Sequence, residues 1–249
     1  MPQHYSFIEE RTLQSNTHDL QKHAHKALHE PNLQQALTKL SYGFIEKRKK
    51  AANGFSSFEA CRDHARDIKN HCLQHLDLYL EKYEQQVTKS GGHVHWARND
   101  AEALNIILDL CKKQNAKLIT KGKSMISEEI GLNNALEQAN FKVVETDLGE
   151  YIIQLRKEHP SHIIAPAVHV LKTQVEDTFR QHHQLLPKSR NLDQRVDLVR
   201  EARQILRSAF LNADIGITGA NFLIAENGAS IIVTNEGNGD LTQTLAKTH

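Results

Sequence analysis

The sequence predicts an α/β protein with a mainly parallel sheet, preceded by a helical N-terminal region. Three observations carry this. Residues 1–88 hold Ala, Leu, Glu, Lys and His with apolar groups at helical spacing. Ser90-Gly91-Gly92 then breaks the pattern. From 89 to 249 short apolar runs alternate with helical stretches of about a dozen residues, the signature of βαβ units.

Within the first region, Phe58–Tyr83 reads as one long helix with Ile68, Cys72, Leu76, Leu80 and Tyr83 on a stripe suited to a half-buried face. Lys47-Arg48-Lys49-Lys50 reads as a solvated helix face. In the second region, His93–Ala97 is expected as a short strand. Asn99 is placed to cap the following helix, with Glu102 completing a capping-box-like pattern, and Leu104, Ile107, Leu108 and Cys111 form that helix's apolar stripe. Lys117–Thr120 reads as a strand, Ser127–Gln138 as a helix and Phe141–Glu145 as a strand. Tyr151–Leu155 and His162–Ala165 are short apolar segments, and helices follow at Val168–His182 and Asp193–Leu211. Near the end, Phe222–Ala225 and Ser230–Thr234 flank Asn227-Gly228, a pair suited to a type I′ hairpin turn.

Composition removes several classes of function. Lys plus Arg number 31 against 30 for Asp plus Glu, so no net field draws the chain to nucleic acid or anionic lipid. An apolar share of 39% and a mean hydropathy of −0.55 suit a water-soluble fold of 249 residues. No run approaches the roughly twenty apolar residues of a membrane span. Met1-Pro-Gln-His-Tyr5 lacks the apolar core of a secretory leader, so the cytoplasm is the expected location. The three cysteines, Cys61, Cys72 and Cys111, are too few and scattered for a disulfide framework. Cys61/His64 and Cys72/His75 each fall at i, i+3, but the pairs stand about 16 Å apart along a helix, too far to share a metal ion. No metal ligands are assigned.

Chemistry concentrates in two places. Thr120-Lys-Gly-Lys-Ser-Met-Ile-Ser-Glu-Glu129 runs from strand to helix. Lys121 and Lys123 supply cations there, and Ser124 or Ser127 can cap a helix N-terminus that suits an anion. An ordinary capped helix with surface lysines accounts for the same residues, and the spacing is not that of a Walker loop. Around the hairpin, Gly216, Thr218, Gly219, Asn221, Glu226, Asn235, Glu236, Gly237 and Asn238 suit a ligand pocket, or a hairpin that needs Gly and Asn for geometry alone. Loops after parallel strands share one sheet edge, so Lys123 and Ser124 are expected to converge there with Gly219, Asn221, Glu226, Asn235 and Glu236 on a small anionic ligand. Asp147 and Glu150 pair two carboxylates beside a turn, and His162 and His169 bracket Ala165-Pro166-Ala167. Both features also fit solvated or structural roles.

Several segments together resemble the lactate-utilisation (LUD) domain family, specifically its iron–sulfur B-component subfamily. They are His93-Val-His-Trp-Ala97, Lys123-Ser-Met125 with Glu128-Glu-Ile-Gly-Leu132, and Glu145-Thr-Asp-Leu-Gly-Glu-Tyr-Ile-Ile-Gln-Leu155. Pro160-Ser-His-Ile-Ile-Ala-Pro-Ala167, Gly216-Ile-Thr-Gly-Ala-Asn-Phe222 and Asn235-Glu-Gly-Asn238 complete the set. The resemblance covers nearly the whole chain. It implies a sugar-isomerase/CoA-transferase-like α/β fold and a part in oxidising L-lactate to pyruvate with two companion subunits. In that subfamily electrons pass through iron–sulfur clusters on a ferredoxin-like C-terminal segment. Three cysteines do not supply the four thiolates of one cubane, so the sequence reads as part of a longer protein whose clusters lie outside it, without redox activity of its own. Gly122 departs from the serine common in the family. Glu226-Asn227-Gly228 also resembles the element carrying the nucleophilic glutamate of class I CoA transferases, which implies acyl-CoA chemistry at Glu226 as the alternative function. A purely structural docking module is the third.

Overall fold

The computed structural model describes residues 16–249 apart from Ile163, and no side chain of residues 16, 17, 41 or 42. Residues 1–15, inside the expected helical region, and Ile163, inside the expected segment His162–Ala165, lie outside the described residues. Among the described residues a 3-10 turn (Asn16–Asp19) is followed by four α-helices: α1 (Leu20–Leu28), α2 (Pro31–Asn53), α3 (Phe58–Gln74) and α4 (Leu76–Lys89). Pro31 starts α2 at the position where its missing N–H costs nothing, and the Glu30 side chain accepts from the Asn32 and Leu33 amides. The expected single helix over Phe58–Tyr83 is broken at His75, which ends α3 and begins α4. Its stripe is less covered than expected: Ile68 is 50% exposed and Leu76 45%.

The α/β body follows: α5 (Asp100–Lys113), β1 (Leu118–Gly122), α6 (Met125–Glu129), α7 (Leu132–Gln138), β2 (Lys142–Glu145) and α8 (Leu148–Arg156). Then come α9 (Lys172–His182), α10 (Arg195–Asn212), β3 (Ile215–Thr218), the ribbon strands β4 (Phe222–Ile224) and β5 (Ala229–Ile231), and α11 (Asn238–Leu245). β1 is the central strand of a parallel sheet in the order β2-β1-β3, with Ile119 opposite both Val143 and Ile215. Strand alternation sends side chains to two cores. On one face Ile119, Val143 and Ile215 pack with Cys111, Leu132 and Leu136 of α5 and α7. On the other, Val144 packs against a cluster from α8, α9 and α10 that includes Tyr151, Phe179, Leu206 and Phe210. The result is a three-layer α/β arrangement.

Several expected elements differ. His93–Ala97 forms no strand; it runs unpaired past α4, where the exposed Trp96 donates its indole N–H to Glu84 at 3.1 Å. Ser127–Gln138 is two helices, because Gly131 takes a left-handed conformation (φ +66°) between them. Tyr151–Leu155 lies within α8. Asn99 does cap α5, accepting from the Glu102 amide at 2.9 Å, but the Glu102 carboxylate takes the Arg98 amide and guanidinium instead of closing the box. The hairpin is not a type I′ turn: of Asn227 and Gly228 only Gly228 has positive φ (+74°), and the loop spans Ala225–Gly228.

α11 lies directly on β3. A Cβ on Gly216 would overlap the carbonyl oxygen of Thr242. Gly216→Ala is therefore expected to cost about 1–3 kcal/mol by overpacking, read as a lower urea midpoint at unchanged m-value.

Candidate functional site

All three parallel strands end at one edge, where open α/β sheets place their ligands. β1 delivers Lys121 inward, and Lys123 follows the strand's last residue. Lys121 is fully buried, so the expectation that it offers a cation to an anionic ligand is corrected: its ammonium is committed to the protein. Nζ lies 2.6 Å from Glu128 Oε1, 2.8 Å from Glu145 Oε1 and 3.0 Å from Ser127 Oγ. Burial alone would lower its pKa, but the two carboxylates outweigh that and raise it. Lys123 holds a left-handed backbone (φ +57°) and pairs with Asp147 Oδ2 at 2.7 Å. Ser124 caps α6, accepting from the Ser127 amide at 3.3 Å, and Asp147 caps α8 through Gly149 at 3.1 Å.

The expected site residues separate into groups. Gly219 packs on Lys123 and Ser124 so tightly that a Cβ there would overlap the Lys123 carbonyl. Glu236 has much of its side chain in solvent. Its carboxyl is nevertheless raised, first by desolvation and then by Asp147, while Lys123 and the Leu148 amide oppose the shift. Lys123, Ser124, Gly219 and Glu236 thus share one neighbourhood. Asn221 lies at the base of the ribbon, where its Oδ1 accepts from the Val233 amide at 2.7 Å. Asn235 is exposed and has no hydrogen-bond partner among the described residues. Glu226 sits in the ribbon's turn, on the order of 10 Å along the strand from Asn221. That turn abuts α4, where Gly228 approaches Gln86 and Val87, and no hydrogen bond or ion pair joins Glu226 to the Lys123 group among the described residues.

Behind the edge lies a feature that sequence reasoning missed. Glu150 is raised to about 8 by burial first, and then by Glu145, with Lys121 opposing. Asn133 Nδ2 donates to Glu145 Oε1 at 2.6 Å, and Oε2 of both Glu145 and Glu150 is buried with no hydrogen-bond partner among the described residues. One buried ammonium between Glu128 and Glu145 leaves no charge to balance a third carboxylate, so burial beside Glu145 favours the protonated form of Glu150. A second buried network runs from Tyr151 Oη to His183 Nε2 at 2.8 Å, and from His183 Nδ1 to Glu201 at 2.8 Å. Arg190 closes it on Glu201 at 2.6 Å. Burial depresses the His183 pKa against the pull of Glu201. The sequence singled out Glu150 beside Asp147, but its burial against Glu145 was not visible there.

Two expectations follow. Lys121→Met leaves Glu145 buried without its cation, and should cost about 3–5 kcal/mol in chemical unfolding. The folded Glu150 binds its proton more tightly than the unfolded chain, whose value is near 4.5. Stability from this group is present below about 4.5 and lost as pH rises toward about 8. Glu150→Gln should remove that loss, so the gap between variant and parent in urea midpoint widens from about pH 5 to about pH 8.

No group of His, Cys, Asp and Glu among the described residues is arranged to hold a metal ion, and Cys111 is buried with its thiol raised to about 11 by desolvation. Among the described helices none is long and apolar enough to cross a membrane. No solved structure matches the chain. Among curated proteins, Lactate utilization protein B of Bacillus licheniformis is 48% identical over 203 residues, covering 81% of this chain and 42% of that protein. The Bacillus subtilis protein of the same name is 46% identical over 203 residues, with the same coverage, and that of Bacillus cytotoxicus 42% over 213 residues. The chain thus spans less than half the length of these relatives. The LUD domain matches residues 80–249, from within α4 through the parallel sheet, the ribbon and α11. With that match and those identities, the chain belongs to the LUD domain family.

Proposed function

We propose that this chain is the LUD domain of an electron-transfer subunit in a complex that oxidises L-lactate to pyruvate, acting as its ligand-binding or assembly part in the cytoplasm. The observation that carries the reading is 48% identity over four-fifths of the chain to a protein named Lactate utilization protein B. Companion subunits of that complex are its partners. Iron–sulfur clusters belong to the full-length protein: Cys61, Cys72 and Cys111 do not fit one, since a cubane takes four thiolates and Cys111 is sealed in the core. A helical region ending at residue 88 and an α/β domain over 89–249 are the two parts proposed for it.

Within the α/β domain, a small anionic ligand is proposed at the C-terminal edge of the sheet, near Lys123, Ser124, Gly219 and Glu236, with Asn221 and Asn235 at the rim. Supporting this are the left-handed Lys123 and the close approach of Gly219, since strained backbone is concentrated at ligand sites. Glu226 lies in a solvent-exposed turn with no polar partner among the described residues, so acyl-CoA chemistry there draws no support from its surroundings. Deleting the gene in its host should abolish or strongly slow growth on L-lactate as sole carbon source, with growth on pyruvate retained. Unchanged growth and lactate oxidation would reject the function.

A further inference from the structure

Away from the sheet edge, the loop after α8 holds a serine, a histidine and a glutamate in one hydrogen-bonded line. Ser161 Oγ lies 2.7 Å from His169 Nδ1, and His169 Nε2 lies 2.9 Å from Glu158 Oε2. Ser161 is exposed, while His169 and Glu158 are partly covered. The other histidine of the segment is used structurally: His162 Nδ1 accepts from the Ile164 and Ala165 amides, each at 3.1 Å.

Each member is held from behind. Lys157 takes a left-handed conformation (φ +55°), where an L side chain is strained. Its amide and that of Glu158 turn back to the Gln154 and Ile153 carbonyls, both at 3.2 Å, closing a Schellman motif. Arg156 Nη2 then grips Glu158 Oε1 at 2.6 Å and leaves Oε2 to His169. On the other side of the loop, Pro166 packs on Gly149 of α8, where a Cβ would stand 3.0 Å from the proline Cγ. The Pro166 carbonyl takes the Ser161 amide at 3.1 Å. Strained backbone that fixes a polar side chain in this way collects at functional sites.

The hydrogens follow from the acid. Desolvation opposes ionisation of Glu158, but the hydrogen bonds and charges of Arg156 and His169 outweigh it and hold the carboxyl below its ordinary value. As a carboxylate it accepts from His169 Nε2–H, and the neutral ring then turns the Nδ1 lone pair on Ser161. The hydroxyl also stands 3.1 Å from the Pro166 carbonyl, but that oxygen already takes the Ser161 amide, and Nδ1 is the nearer acceptor. A serine in reach of a base that a third group orients is the arrangement that activates a hydroxyl, recognised by roles and geometry.

We propose that Ser161 is a nucleophile toward activated carboxylic esters and thioesters, with His169 as its general base and Glu158 as the group that orients His169. This activity is separate from the anionic site and from lactate oxidation. Ser161 Oγ bonds to the acyl carbon as its hydrogen passes to His169 Nδ1. The bond from that carbon to the leaving alcohol or thiol breaks, and His169 Nδ1 returns the proton to the leaving group. Water then repeats the sequence on acyl-Ser161, which releases the carboxylic acid and restores the hydroxyl.

The test treats the chain with diisopropyl fluorophosphate and with p-nitrophenyl acetate, and locates adducts by peptide mass spectrometry. An adduct on Ser161 is expected, with the exposed Ser56 and Ser57 unmodified, and p-nitrophenol release should be lost in Ser161→Ala. His169→Ala should slow modification by at least about hundredfold, and Glu158→Gln by at least about tenfold. These positions lie outside both cores, so the circular dichroism of each variant should match the parent. If His169→Ala nonetheless fails to fold, the adduct on the unmutated chain and the Glu158→Gln rate decide. A loop held together for structure alone leaves Ser161 unmodified, and that result overturns the proposal. So does a modification rate unchanged in His169→Ala or in Glu158→Gln.

Discussion

A single buried ammonium organises this fold. Lys121 projects from the central strand into a space closed by α6 and β2, and its ammonium touches Ser127, Glu128 and Glu145 together. Removing a charge from water costs several kcal/mol, and only close partners of opposite sign offset it. The strand order, the short turn into α6 and the placement of β2 must all be right for those partners to arrive. Such a pair adds little net stability over apolar packing, but a misregistered β1 would strand the ammonium without partners. The same arithmetic reaches Glu150, whose proton is the price of standing beside a cation already matched twice over.

That arrangement explains which parts of the sequence were readable. β3 at Ile215–Thr218, broken by Gly216, is not read as a strand of its own, whereas the apolar runs around Ile119 and Val143 reveal strands because they are buried on both faces. Lys121 sits in the same run and looks like a surface cation, because sequence alone carries no record of two carboxylates 7 and 24 residues away closing on it. His93–Ala97 alternates like a strand, yet no neighbouring strand offers it a ladder, and alternation without pairing yields only an extended path. Gly131 is a milder case. One glycine inside a helical pattern is compatible with continuity, and the left-handed turn that splits α6 from α7 is settled by how the two helices pack.

The candidate site was legible in proportion to its distance from the sheet. Lys123, Ser124 and Gly219 follow strand ends directly, so topology alone places them together. Glu226 stands farther along a ribbon whose direction the sequence does not state, and the ribbon carries it to α4. Asn238 was named only as one polar residue among many near the hairpin. Its burial with both amide atoms unpartnered emerges from the way α11 folds back over β3, a contact made through Gly216 and Thr242.

The ribbon has a mechanical meaning of its own. Its base is tied beside Gly219 by the Asn221 side chain and backbone, and its far end bears on the last turn of α4 through Gly228. Gly228 has no side chain to yield there, so the touching surfaces are main chain against main chain and transmit displacement with little slack. Any side chain at position 228 would meet the α4 main chain at Gln86 and Val87, so the ribbon can sit this close to the helix only with glycine there.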